Sequence, residues 1–215
     1  MSARSARPQT PVRSARKAPR PLLRALLVAF CVSYVPSQAR GPLDGERAIA
    51  GVRLFYGARA DLRAVDEALI GQARESLDMA AYALSDRRLI AALEAAARRG
   101  VKIRLYLDPD QPTLTGGPAT AALASLLRAP GVEARVKTAP DLMHLKSYQI
   151  DRRALRTGSS NFTVAGGSRQ ENDVLVLESA EVVAAFLREF DYLWERQANL
   201  RLQPERLPLN ARGGG

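Results

Sequence analysis

The chain is short of the residues that most often carry out chemistry. Its 215 residues include one cysteine (Cys31), one histidine (His144) and one tryptophan (Trp194). A single cysteine excludes an internal disulfide framework. One histidine and one thiol exclude the Cys/His sets that hold zinc. Only carboxylates and water remain as metal ligands, and no carboxylate cluster has a metal-binding spacing, so no metal or other cofactor is expected. Lysine is scarce too: Lys17, Lys102, Lys137 and Lys146 are the full set, and arginine carries most of the positive charge. The longest mostly apolar run, residues 25–35 (ALLVAFCVSYV), falls short of the ~20 residues a membrane-spanning helix needs.

The chain does have positive charge, but unevenly placed. The formal net charge is +10. Seven basic and no acidic residues lie in residues 1–39, which leaves +3 for the rest. The basicity is therefore not a nucleic-acid footprint on a folded domain. A basic stretch, an apolar run, then Ser37 and Ala39 at −3 and −1 of a cut after Ala39 read as an export leader. The expected location is periplasmic or secreted. A mitochondrial presequence is the alternative, because residues 1–20 are rich in Arg and Ser and free of acid. Cleavage would remove Cys31 and leave a mature chain with no integral membrane span.

Further along, residues 40–50 read as a linker, 51–198 as one domain and 199–215 as a disordered tail with two prolines and a triple-glycine end. Within the domain, strands are expected at 52–56, 77–84, 101–107, 131–137 and 174–177, from short apolar or alternating runs. Helices are expected at 61–76, 86–99 (capped by Ser85), 119–127 and 180–197, from apolar spacing and caps. Strands alternating with helices imply an α/β fold: an α-β-α sandwich on a mixed, mainly parallel sheet, in a single domain.

The chemistry concentrates in residues 143–163, MHLKSYQIDRRALRTGSSNFT. Residues 147–150 alternate polar and apolar, as a strand does, so His144 and Lys146 should face one site. A near-neutral imidazole beside a fixed ammonium suits reaction at a phosphate. Residues 152–153 read as the turn of a hairpin whose return arm leads to Gly158.

This stretch resembles the phospholipase D superfamily, whose signature is H-x-K-x4-D followed by G-S-x-N. His144, Lys146, Asp151, Gly158, Ser159 and Asn161 match it. A histidine meets lysine and aspartate at those offsets by chance about 0.4% of the time. The likeness covers residues 51–194 and is strongest to the short single-motif endonucleases. It implies a phospholipase D-like fold and metal-independent phosphodiester hydrolysis through a phosphohistidine. His144 would be nucleophile or acid, Lys146 would bind phosphoryl oxygens, and Ser159 and Asn161 would add hydrogen bonds. Asp151 would be a structural acceptor, and Glu171 would be the carboxylate that orients the histidine. Glu171 stands one residue nearer to Ser159 than the resemblance asks.

The mechanism needs two histidines and the chain has one, so a homodimer with a shared active site is expected. Non-specific cleavage of DNA or RNA is the favoured activity, with Arg152, Arg153, Arg156 and Arg169 as a phosphate-binding rim. Hydrolysis of phosphatidyl headgroups or cardiolipin is the alternative. A non-catalytic dimeric binding module of the same fold is the third reading.

Overall fold

The structure, a computed structural model, describes residues 48–209. The expected leader, most of the linker and residues 210–215 lie outside the described residues. Nine strands form one sheet: β1 (Ala48–Ile49), β2 (Val52–Tyr56), β3 (Ser76–Ala81), β4 (Lys102–Leu107), β5 (Val132–Val136), β6 (Lys146–Ile150), β7 (Ala154–Thr157), β8 (Asp173–Leu177) and β9 (Leu200–Arg201). The helices are α1 (Leu62–Gln72), α2 (Arg87–Arg98), α3 (Pro118–Arg128), α4 (Val164–Ser168) and α5 (Ala180–Trp194).

Strand order is β1-β2-β8-β7-β6-β3-β4-β5-β9. The mixed α/β sandwich stands, but the sheet is not mainly parallel. Among the described strands only β3–β4 and β4–β5 pair parallel, and the other pairs are antiparallel. Parallel neighbours need a crossover, which α2 and α3 supply. The third βαβ unit, β2–α1–β3, misled the sequence reading. Its strands run in the same direction, but β8, β7 and β6 are inserted between them.

Helices α1, α2, α4 and α5 begin at a side-chain cap, whereas α3 starts at Gly117 with Pro118 in its first turn and no side-chain cap bond. Asp61 accepts the Arg63 and Ala64 amides at the start of α1. At α2 the cap is Asp86 rather than Ser85. Its carboxylate accepts the Arg88 amide and pairs with Arg63, while the Ser85 and Asp86 amides donate to the Phe162 carbonyl. Helix α1 stops at Gln72, short of residue 76, because the Asp151 carboxylate captures the next amides, those of Arg74, Glu75 and Ser76.

Alternation along β3 and β4 divides the interior in two. Leu77, Met79, Ile103 and Leu105 face the larger core with Val65, Leu69, Ile90 and Leu93 of α1 and α2. Ala80 and Tyr106 face the other side, under Phe190, Leu193 and Trp194 of α5. Each such large apolar side chain contributes about 1.5–3 kcal/mol on burial. The expected disordered tail is ordered through residue 209. Residues 200–201 add strand β9, and a short turn at Pro204–Arg206 returns Leu207 into the larger core. Its two prolines suggested a tail, but the pairing of β9 with β5, the Leu202 amide bond to the Ala134 carbonyl and the burial of Leu207 hold it to the domain.

Candidate active site at one end of the sheet

Of the signature residues, His144, Lys146, Gly158, Ser159 and Asn161 lie where β2, β3 and β4 end and β6 and β8 begin. His144 immediately precedes β6, and Ala81 at the end of β3 stands opposite Lys146. Residues 158–163 follow β7 directly, and Asp173 opens β8 opposite Tyr56.

The segment carrying His144 is fixed on both sides. The Met143 amide donates to the buried Asp108 carboxylate (2.8 Å), and the Leu145 carbonyl accepts the Tyr82 amide (2.8 Å). His144 itself is exposed. Its ring meets the Tyr82 ring at 4.4 Å between centroids and 60° between planes. Lys146 Nζ lies 4.8 Å from the centre of the same Tyr82 ring and donates to the His144 carbonyl (2.9 Å). His144 and Lys146 thus do come together. Strand alternation is not the cause, since His144 lies outside β6; the Tyr82 ring gathers them. Burial, and then the charge of Arg156, push the Lys146 ammonium below its ordinary pKa.

Arg156 is not part of an exposed rim. It is 1% exposed and forms a two-pronged ion pair with Asp66 of α1, which is 2% exposed (Nε–Oδ1 and Nη2–Oδ2 both 2.8 Å). The Tyr148 hydroxyl donates to the same carboxylate (2.8 Å). Arg156 Nη1 then donates to the backbone carbonyls of Lys146 (2.8 Å) and Ser160 (3.2 Å), and the guanidinium lies 4.6 Å from the Phe162 ring centre. One buried cation therefore ties the H-x-K strand, the G-S-x-N loop and α1 together. Burial pushes the Asp66 carboxyl up, opposed by Arg156 and the Tyr148 hydroxyl. Burial beside Asp66 pushes the Tyr148 phenol well up, so it stays a neutral donor.

Gly158 has φ of +140°, and a Cβ there would lie 2.4 Å from the Asp173 carbonyl oxygen. Only glycine lets the chain pass this close to β8. Ser159 Oγ donates to Asp173 Oδ1 (2.5 Å), lies 3.0 Å from Asn172 Oδ1 and accepts the Asp173 amide (2.9 Å). Its single hydrogen is committed to the fold. Ser159→Ala should lower the melting temperature by about 2–4 °C, the loss of roughly 1 kcal/mol, while kcat falls less than about tenfold. Melting curves and steady-state rates check this; a large loss of kcat at unchanged melting temperature would place Ser159 on the substrate instead. Asn161 differs: among the described residues its buried Oδ1 has no hydrogen-bond partner, so the fold has not used up this side chain's hydrogen bonding.

Asp151 lies at the opposite end of the sheet, in the β6–β7 turn, with φ of +51°. Its carboxylate accepts three backbone amides, from Arg74, Glu75 and Ser76, at 2.7–3.1 Å. Asp151→Ala should cost about 1–3 kcal/mol of stability and leave kcat unchanged in the folded fraction, as denaturant titration and active-fraction assays would show. Arg152 and Arg153 share that turn and are exposed there. At about 3.3 Å per residue, β6 holds them more than about 15 Å from His144, so they form no rim around it. They line instead a cavity of about 400 Å³ with Arg53, Gln72 and Glu178. Arg169 is exposed at the end of α4, on the His144 side of the sheet. Glu171 is also exposed, and among the described residues it makes no hydrogen bond or ion pair. The carboxylate built into this corner is Asp173. Sequence reasoning passed over Asp173, Asp66 and Tyr82. Asp173 stands fourteen residues after Ser159, and nothing in the pattern marked Tyr82 beyond its place at the end of an apolar strand.

Three comparisons bear on this arrangement. The family model described as "Cardiolipin synthase, PLD-like domain" matches residues 67–194, from α1 to the end of α5. The mitochondrial cardiolipin hydrolase of Homo sapiens is 36% identical over 124 residues, which are 58% of this chain and 47% of that protein. A phospholipase D of Rickettsia bellii is 36% identical over 121 residues, 56% of this chain and 58% of that protein. The chain therefore spans about half the length of the curated relatives it matches. Among solved structures, the phospholipase D family member Nuc from Salmonella typhimurium has a TM-score of 0.64 at 24% identity, covering 71% of this chain and 97% of Nuc, which is likeness of fold. With a family match across most of the described domain, and the H-x-K and G-S-x-N residues meeting at one end of that fold, the chain belongs to the phospholipase D-like family.

Proposed function

We propose that this chain is a phosphodiester hydrolase that works as a twofold homodimer, with His144 of each copy in a shared site. The observation that carries the reading is the His144–Lys146 pair on Tyr82, with Asn161 in the loop after β7 at the same end of the sheet. In this mechanism one imidazole attacks phosphorus and forms a P–N bond while the ester P–O bond breaks. The second copy's imidazolium gives its proton to the leaving oxygen. That imidazole, now neutral, takes a proton from water as the water oxygen attacks phosphorus. The P–N bond then breaks and His144 is restored. The Lys146 ammonium and the N–H groups of the Asn161 side-chain amide donate to the phosphoryl oxygens and stabilise their charge. Among the described residues no three or more His, Cys, Asp or Glu are grouped as metal ligands. Turnover is expected to persist in EDTA.

Two substrate readings each have support. Lipid phosphodiesters are favoured by Leu142 (60% exposed) and Leu145 (38% exposed), which flank His144, and by the names of the relatives above 30% identity. Nucleic acid is favoured by exposed Arg169. It loses support from the position of Arg152 and Arg153 at the far end and from the burial of Arg156. The lipid reading is the stronger one. An exported location and a mitochondrial one both fit the relatives, and among the described residues no helix is long and apolar enough to cross a membrane. Cardiolipin vesicles, plasmid, single-stranded DNA and RNA, each incubated with the protein in EDTA, separate the substrates. Cleavage of vesicles alone supports the lipid reading. Cleavage of nucleic acid alone replaces it with the nuclease reading, and cleavage of none, or only with added metal, overturns the mechanism.

A further inference from the structure

Tyr82 stands one residue past the end of β3, where its amide N–H donates a hydrogen bond to the Leu145 carbonyl and so anchors it beside residues 144 and 146. The half-buried side chain touches both groups the mechanism depends on: the His144 ring at 4.4 Å and the Lys146 ammonium at 4.8 Å. Among the described residues neither nitrogen of His144 has a hydrogen-bond partner, and Glu171, the carboxylate expected to orient it, makes no hydrogen bond or ion pair with it. Asp173, the nearby alternative, is bonded to Ser159. A tilted edge contact between two rings restricts rotation of the imidazole, and the electron-rich face of tyrosine attracts an ammonium. That attraction acts against burial and the Arg156 charge, which both disfavour protonated Lys146.

We propose that Tyr82 is a positioning residue whose ring holds the His144 imidazole and the Lys146 ammonium in their reactive arrangement. This rests on the phosphodiesterase reading above. The role belongs to the ring and not to the hydroxyl, so phenylalanine should substitute and an aliphatic side chain should not.

The test compares Tyr82→Phe and Tyr82→Leu in the full chain. His144 is the only histidine, so the protein gives one histidine ring signal by NMR, and a neighbouring aromatic ring displaces it. Tyr82→Phe should keep kcat within about twofold of the parent, while Tyr82→Leu should lower it between about 10- and 100-fold with a smaller change in KM. The histidine signal should hold in the first variant and move in the second, with both melting within about 3 °C of the parent. A Tyr82→Leu protein with parental kcat and an unmoved signal would overturn the proposal. So would a Tyr82→Phe protein as impaired as Tyr82→Leu. If the parent itself hydrolyses no phosphodiester, the underlying reading fails, and the NMR comparison still decides whether the Tyr82 ring lies against His144.

Discussion

His144→Ala should abolish turnover, by about 10⁴-fold or more, because one substitution removes the nucleophile and the general acid together. Each site draws one histidine from each copy, so the variant should also act dominantly. When parent and His144→Ala chains are unfolded and refolded together, activity should fall with the square of the parental fraction, since only dimers with two intact copies turn over. A linear fall would mean that each chain carries a complete site. The fold should survive, because His144 is exposed and its ring meets only Tyr82 among the described residues. Circular dichroism and melting curves on the same samples show whether lost activity reflects lost chemistry.

The largest effect on stability is expected beneath the site. Asp66→Ala removes the only anion paired with the buried Arg156 guanidinium among the described residues. An unpaired buried charge costs about 3–5 kcal/mol, roughly 6–20 °C of melting temperature for a domain of this size. The paired replacement Asp66→Leu with Arg156→Met should recover much of that stability, because no charge is then stranded. Activity should not recover with it. Arg156 also holds the carbonyls of Lys146 and Ser160, and without it the H-x-K strand and the G-S-x-N loop lose their shared anchor. A double variant as active as the parent would show that the cluster serves folding alone.

Much of the fold could be read in the sequence because local signals and tertiary packing agree. The apolar spacing in α2 and α5 and the alternation of β4 set those elements to within a few residues. Strand pairing was harder. Local pattern gives the direction in which β2, α1 and β3 follow one another, but not the insertion of β6, β7 and β8 between the two strands, which depends on contacts distant in sequence. In the site, the signature offsets marked His144, Lys146 and Asn161, which the fold brings to one end. The arginines were misread because charge suggested exposure. Arg156 sits between Leu155 and Thr157 on β7 and meets its counter-charge ninety residues away on α1, a pairing no local window shows. Arg152 and Arg153 were near the signature in sequence, but a five-residue strand carries them to the other end of the sheet. Glu171 was assigned by likeness of spacing, whereas the carboxylate bonded into the corner is Asp173.

The most direct test of the central claim is to look for substrate covalently held on His144. The protein would be mixed with a labelled phosphodiester it turns over, quenched at alkaline pH, where phosphoramidates survive, and digested for mass spectrometry. The account predicts a phosphoryl adduct on the peptide bearing His144, absent from His144→Ala. Turnover with the adduct on another residue, or undiminished turnover by His144→Ala, would contradict it.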